Sequence, residues 1–357
     1  VIPIKGLILS GGKGTRLRPI TFTSAKQLVP VANKPILFYG IEAMRDAGIR
    51  DVGIVVGDTR NEIRAAVGDG SAFGIKVTYI EQEAPLGLAH AVKISRDYLR
   101  DDPFVMFLGD NLIRQGITAL VDEFNREKPN CMILLAEVPN PSEFGVAELG
   151  EGRVVRLEEK PKKPASNLAL VGVYMFDSHV FDAVDEIKPS WRNELEITDA
   201  IQRLIDKKLD VRSHIVTGWW KDTGKLEDLL EANRMILLDL PKHVEGTIHP
   251  DSTVEGHVVV GRGTEVVASV LRGPLIIGNG CRIEHSYVGP FTSIHDNVQV
   301  KESEIEHSIV LNGSRIIGIG ARIQGSLIGR DSEITRPGRK PRCFMFMVGD
   351  SSKIEVL

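Results

Sequence analysis

Between Gly246 and Thr335 an aliphatic residue returns every five or six positions, at Val260, Val266, Leu271, Ile277, Ile283, Val288, Ile294, Val300, Ile305, Val310, Ile317, Ile323, Ile328 and Ile334. Every third member of part of that series (277, 294, 310, 328) is spaced by 17, 16 and 18 residues, the length of one turn of a three-sided coil. Glycine follows the aliphatic residue directly in Val260-Gly261, Ile277-Gly278, Val288-Gly289, Ile317-Gly318 and Ile328-Gly329. A solenoid needs both features, because each corner turns sharply and each side has room for one stacked aliphatic residue per coil. An antiparallel sandwich would instead alternate strictly, with turn signals every ~8–12 residues.

The pattern resembles the hexapeptide repeat of left-handed parallel β-helices and predicts one over 245–335. The remainder of the chain follows another plan. Its 357 residues are enough for about two domains at ~150 residues each. From Ile4 to about Gly218, apolar runs of strand length (4–9, 51–56, 76–80, 104–108, 131–135) alternate with stretches of helical periodicity (34–48, 59–68, 87–99, 117–127). Strand–helix alternation with wholly apolar strands predicts an α/β domain over 1–240, built on a Rossmann-like mixed, mostly parallel sheet. Segments 152–161 and 168–177 read as longer strands laid over that sheet, with helices at 196–207 and 225–239. Residues 336–357 are expected to form a capping tail. In it the apolar run 343–349 covers the open end of the solenoid, and the basic run Arg336–Arg342 is a solvated loop.

With 44 basic against 48 acidic residues and a net charge of −4, the chain is neither a polybasic nucleic-acid binder nor a disordered acidic protein. Cys131, Cys281 and Cys343 are odd in number and form no CxxC pattern, so a disulfide framework or thiolate metal site is not expected and a reducing cytoplasm fits. The start VIPIKGLILS is too short for a signal peptide, and nowhere do 18 apolar residues run together. Export and membrane insertion are not expected.

The first strand ends in LSGGKGTRLRPIT (9–21). Glycines directly after a first parallel strand let backbone N–H groups close on an anion. The dinucleotide fingerprint would need a third Gly where Leu17 stands, and a P-loop would need Ser or Thr where Gly14 stands. A purely structural glycine turn satisfies the same residues. More specific is the ordered set Gly11-Gly12-Lys13-Gly14-Thr15-Arg16-Leu17, Lys26-Gln27, Gly109-Asp110-Asn111, Glu158-Glu159-Lys160-Pro161, Glu194-Leu195-Glu196-Ile197-Thr198-Asp199 and Asp222-Thr223-Gly224. In that order these motifs resemble the sugar-1-phosphate nucleotidyltransferases, and the chain looks most like long-form members that carry a C-terminal β-helix and use dTTP.

That resemblance implies a reaction between dTTP and glucose-1-phosphate that yields dTDP-glucose and pyrophosphate, a step of deoxysugar biosynthesis. It implies Mg²⁺ held by Asp110 and Asp222. Arg16 and Lys26 would stabilise the triphosphate, and Lys160 and Arg192 would hold the sugar phosphate. The nucleotide would be bound by Leu9, Gly11, Gly12, Gly14, Thr15, Arg16, Gln27, Gln82, Gly87 and Asp110. The sugar would meet Asn111, Gly145, Glu159, Leu170 and Gly172. The chemistry is consistent: about six negative charges meet in one site and require cations. A Gln amide can donate and accept at once, matching N3–H and O4 of thymine or uracil. Phe144 stands where the family often has Tyr, which removes a hydroxyl.

UTP or a different sugar phosphate is the nearest alternative. A binding or scaffold protein is another. A third is a second enzyme in the β-helix, either an acyltransferase or a metal site formed by His285, His295 and His307, although solvent-facing polar positions suit those histidines better. The β-helix is expected to serve assembly, a trimer being the natural homo-oligomer for its flat sides.

Overall fold

The computed structural model describes residues 3–12, 14–336 and 345–355. Two compact units divide the chain, one made of residues 1–13, 24–28 and 36–222, the other of 14–23, 29–35 and 223–357. Helix Leu226–Asp239, assigned by the sequence pattern to the catalytic region, thus groups with the β-helix.

The first unit is a mixed sheet between helices. Its parallel part runs, side by side, Phe104–Leu108, Lys5–Ser10, Asp51–Val56 and Lys76–Glu81. Successive residues of these strands enter opposite cores. Leu7, Leu9, Phe104 and Met106 pack with helices Leu88–Ile94, His179–Glu186 and Ile197–Asp206. Ile8, Ile54, Val105 and Phe107 pack with Ile36–Asp46, Arg60–Val67 and Thr118–Glu127. Burial on both faces is why Lys5–Ser10, Asp51–Val56 and Phe104–Leu108 read as apolar runs, while Lys76–Glu81, at the sheet edge, is only partly buried.

The two later strands differ from expectation. Leu168–Phe176 is not laid over the sheet but inserted in it, antiparallel to both Phe104–Leu108 and Cys131–Glu137. Its Val173 and Met175 enter one core and Tyr174 and Phe176 the other, the pattern of a central strand. Arg153–Glu159 forms the sheet edge beside Gly145–Gly150. A separate antiparallel ribbon pairs Trp220–Asp222 with Asn111–Ile113, setting Asp222 opposite Asn111.

In the second unit three parallel sheets stack coil on coil, consistent with a left-handed β-helix. The spacing seen in the sequence is the observed register: Ile277 pairs with Ile294, Ile294 with Val310 and Val310 with Ile328. The recurring aliphatic residues line or pack against one core, except at Ile317: there Ile316 is the inward residue, stacked between Val300 and Ile334, and Ile317 is only half-buried. Corner serines close the ladder. The Ser252 Oγ accepts from Ser269 N, Ser269 Oγ from Ser286 N, Ser286 Oγ from Ser303 N and Ser303 Oγ from Ile319 N, at 3.0–3.3 Å. His285 and His307 occupy left-handed corners (φ 47° and 44°), and His295 Nδ1 accepts from Asp296 N at 2.8 Å.

In the tail, residues 337–344, which hold Cys343 and all of the basic run after Arg336, lie outside the described residues. Met345, Phe346, Met347 and Val348 are exposed and in no strand.

Ile283 is fully buried in the coil stack. Ile283→Ala is expected to cost about 2–5 kcal/mol of stability, read by urea unfolding; a loss below about 1 kcal/mol would show that the stack repacks freely.

Candidate active site

Ligand sites in open α/β sheets form at the carboxyl ends of parallel strands, and the expected residues of the first unit collect there. Gly11 and Gly12 leave strand Lys5–Ser10 facing two glutamines. A Cβ on Gly11 would stand 3.3 Å from Gln82 Oε1, and one on Gly12 would stand 3.6 Å from Gln27 Nε2. Gln82 follows strand Lys76–Glu81, and its Nε2 reaches Gly87 O at 3.3 Å and His90 Nδ1 at 3.0 Å. Gln27 is buried, and its Oε1 has no hydrogen-bond partner among the described residues. A buried acceptor left unpaired is costly unless a ligand N–H reaches it. Leu9, also buried, is expected to line the base pocket with Leu86 or Leu88.

Gly87 is locked in place. Leu195 N donates to Leu86 O at 2.7 Å, and Ala89 N donates to Leu195 O at 3.0 Å. Gly87 lies at φ 104°, and a Cβ there would stand 2.3 Å from Leu195 O. Only glycine fits both the backbone angle and the approach. The loop expected at the base is therefore fastened to the Glu194–Asp199 motif.

Asp110 follows strand Phe104–Leu108, and a strand rather than a helix comes after it. Lys26, almost wholly buried, sets its ammonium on Asp110 Oδ2 and lies 4.0 Å from Asp222 Oδ1. Burial pushes the Asp110 carboxyl up. The Lys26 charge, with hydrogen bonds from Lys26 and Asn111, outweighs that and holds it below the usual carboxylate range. Two hard carboxylates facing one cationic centre suit a divalent ion whose other ligands are water and phosphate. Among the described residues no group of three or more His, Cys, Asp or Glu could hold a metal.

A third cluster gathers the residues expected at the sugar. Glu159 ends its strand in register with Gly145, and a Cβ on Gly145 would meet Thr198, Leu170 and Glu159 at 2.7–3.1 Å. Gly172 lies against Asn111, whose Oδ1 accepts from Trp220 Nε1 at 2.5 Å and whose Nδ2 donates to Asp110 at 3.0 Å. Phe144 meets Trp220 edge to face at 5.4 Å. Burial, then the neighbouring Glu196, push the Glu159 carboxyl up, against Lys160, Arg192 and the Thr198 hydroxyl. Arg192 is shared by Glu159 at 3.5 Å, Glu194 at 2.9 Å and Glu196 at 3.6 Å. Lys160 is exposed, at φ 45°.

Sequence reasoning missed Thr198, Glu196 and the polar use of Trp220. The first two lay inside a quoted motif, and the indole N–H beside Asp222 was a usable signal.

Gly14, Thr15 and Arg16 belong to the second unit. Gly14 (φ 62°) opens a short 3-10 turn, Thr15–Leu17, and accepts from the Thr21 hydroxyl at 2.6 Å. The Arg16 guanidinium packs on Gly224, where a Cβ would stand 2.8 Å from Nη2.

Strand-end glycines, amide-bearing side chains and a lysine between two aspartates thus lie in one unit, the fold of which comparison with known proteins identifies. A profile of the nucleotidyl transferase family matches residues 5–238, and the chain belongs to that family. It is 56% identical over 355 residues, 99% of both chains, to a glucose-1-phosphate thymidylyltransferase of Streptomyces antibioticus. It is 54% identical over 354 residues, again 99% of both, to one of Streptomyces griseus. Among solved structures it is similar to a Bacillus anthracis protein, provisionally assigned as a glucose-1-phosphate thymidylyltransferase and crystallised with sucrose. That match has TM-score 0.63 and 35% identity over 67% of this chain and 97% of that one.

Gly87→Ala is expected to raise the KM for nucleotide at least about tenfold, because the loop must leave Leu195 to admit a methyl group. Steady-state kinetics of the folded variant would read this, and wild-type values would show the loop to be free.

Proposed function

We propose that the chain transfers a thymidylyl group from dTTP to glucose-1-phosphate, giving dTDP-glucose and pyrophosphate. The observation that carries this reading is the Lys26 ammonium set between Asp110 and Asp222, beside two glutamines whose amides face the strand-end glycines. It is supported by full-length similarity to proteins named for that activity.

A phosphate oxygen of the sugar phosphate attacks the α-phosphorus, the bond to the β-phosphate oxygen breaks, and pyrophosphate leaves. The nucleophile is already an anion near neutral pH, so no general base is required. Asp110 and Asp222 would hold Mg²⁺, which when bound neutralises phosphoryl oxygens and the departing pyrophosphate. Lys26 adds a fixed charge at the same place, and Arg16, with the Gly14–Thr15 turn, serves the triphosphate. Gln82 and Gln27 pair with the base edge, while Leu9 and Leu88 accept the thymine methyl. That methyl is worth about 1–3 kcal/mol of preference over UTP.

Glu159 accepts from sugar hydroxyls, with Gly145, Leu170, Gly172 and Asn111 shaping the pocket. Lys160 and Arg192 supply positive charge for the sugar phosphate. Arg192 does so as a fixed charge already shared among carboxylates. We assign the reaction to the cytoplasm and the β-helix to homo-oligomer formation.

A panel crossing dTTP, UTP, ATP and GTP with glucose-, galactose- and N-acetylglucosamine-1-phosphate should give fastest pyrophosphate release for dTTP with glucose-1-phosphate. Activity with UTP and none with dTTP would overturn the assignment. Asp110→Asn and Asp222→Asn should each lower kcat at least about 100-fold with an unchanged circular dichroism spectrum, and near-normal turnover would remove that residue from the metal site.

A further inference from the structure

Gln82 faces the strand-end glycines with an amide whose nitrogen is already engaged. Its backbone N donates to Val56 O at 2.9 Å, which ties the residue to the end of strand Asp51–Val56. Its Oε1 would be 3.3 Å from a Cβ on Gly11, while its Nε2 reaches Gly87 O at 3.3 Å and His90 Nδ1 at 3.0 Å. An amide nitrogen carries two hydrogens and accepts nothing. Both hydrogens therefore have partners within the protein.

Nδ1 of His90 can accept from that nitrogen only if it carries no proton, so the ring is neutral with its hydrogen on Nε2. Burial, then the Lys93 ammonium, hold the imidazole below its usual range, which favours the neutral ring. Gly87 O suits the same amide orientation but has a second donor, Ala91 N at 3.3 Å. The shorter bond, to His90, is the one that distinguishes the two ends of the amide. Its helix, Leu88–Ile94, is held in place, because Ala89 and Ala91 on either side of His90 are buried and Ala89 N donates to Leu195 O. Turned over, the amide would set its oxygen against two acceptors, His90 Nδ1 and Gly87 O. As it stands, Gln82 has only an acceptor left to offer a ligand.

We propose that His90 is a positioning residue for base specificity: by accepting from Gln82 it holds the amide oxygen toward the base, so that the site takes a pyrimidine with a hydrogen on N3 and rejects one without it. This rests on the nucleotidyl-transfer reading given above. Thymine and uracil carry N3–H, whereas cytosine has a lone pair there and an amino group where thymine has O4. An amide free to turn over would present its N–H to cytosine N3 and lose that discrimination. The methyl pocket separates thymine from uracil; His90, acting through Gln82, separates both from cytosine.

The test uses the full chain with glucose-1-phosphate and either dTTP or dCTP. His90→Leu, which removes the acceptor, should lower the ratio of kcat/KM for dTTP to that for dCTP about tenfold and leave the KM for glucose-1-phosphate unchanged. His90→Asn puts a carbonyl oxygen at the same distance along the side chain as Nδ1 and should restore most of the ratio. A general loss of packing would lower activity with both nucleotides and leave their ratio alone. The proposal is overturned if His90→Leu keeps the wild-type ratio, or if His90→Asn lowers it as far as His90→Leu does. Nitrogen-15 NMR of the histidine-labelled wild-type chain near neutral pH, with His90 assigned by its absence from the His90→Asn spectrum, should show Nδ1 without a proton. A protonated Nδ1 overturns the proposal, and this reading decides should His90→Leu fail to fold. Absence of pyrophosphate release by the wild-type chain with every substrate pair would instead remove the transfer reading, an outcome distinct from an unchanged ratio in an active variant.

Discussion

Lys26 has its side chain 8% exposed, with its ammonium on Asp110 and 4.0 Å from Asp222. A buried ion pair is retained only where both charges are compensated, and deleting one partner leaves the other stranded at a cost of about 3–5 kcal/mol. Three different parts of the chain supply these groups: a 3-10 turn, the end of a parallel strand and a two-stranded ribbon. Asn111 joins the arrangement to Trp220 and Gly172. The neighbouring clusters are thus built outward from one compensated charge.

The β-helix solves a different problem. Parallel coils have no hairpins to set their register, so register must be written into the side chains. Three arginine–glutamate pairs each span one coil of 17 residues, Arg262 with Glu245, Arg272 with Glu255 and Arg282 with Glu265, at 2.7–3.0 Å. Two more span 18, Arg322 with Glu304 and Arg315 with Glu333, where the coil is a residue longer. Each exposed pair is worth little alone. Together with the serine ladder they favour one register over slipped ones, while the aliphatic core would tolerate several.

Legibility in the sequence followed the physics of each feature. The coil length could be read because inward residues stack in a one-dimensional row, so spacing in the chain is spacing in space. The three inner parallel strands were equally plain, being apolar on both faces. Leu168–Phe176 was misplaced because an unbroken apolar run says that both faces are buried but not between which neighbours. Gln27, Asp110, Asp222 and Gly11, Gly12 and Gly14 were picked out through motif order, because each stands in a short segment whose place in the chain is fixed relative to the others. Thr198 and Glu196 were not, since their part comes from tertiary contacts with Glu159 and Arg192. The turn at Ala32–Asn33 carried no such signal, since its bonds to Asn233 and Ile294 are tertiary.

The fastening of Leu195 to Leu86 and Ala89 has a consequence for modularity. Backbone bonds cannot be tuned by exchanging side chains, and the methyl-free gap at Gly87 leaves no slack between the two segments. Segments 86–89 and 194–199 are therefore one mechanical part. Side-chain exchange in either segment, Gly87 apart, leaves the fastening intact, whereas an insertion or deletion in one must be matched by a backbone change in the other.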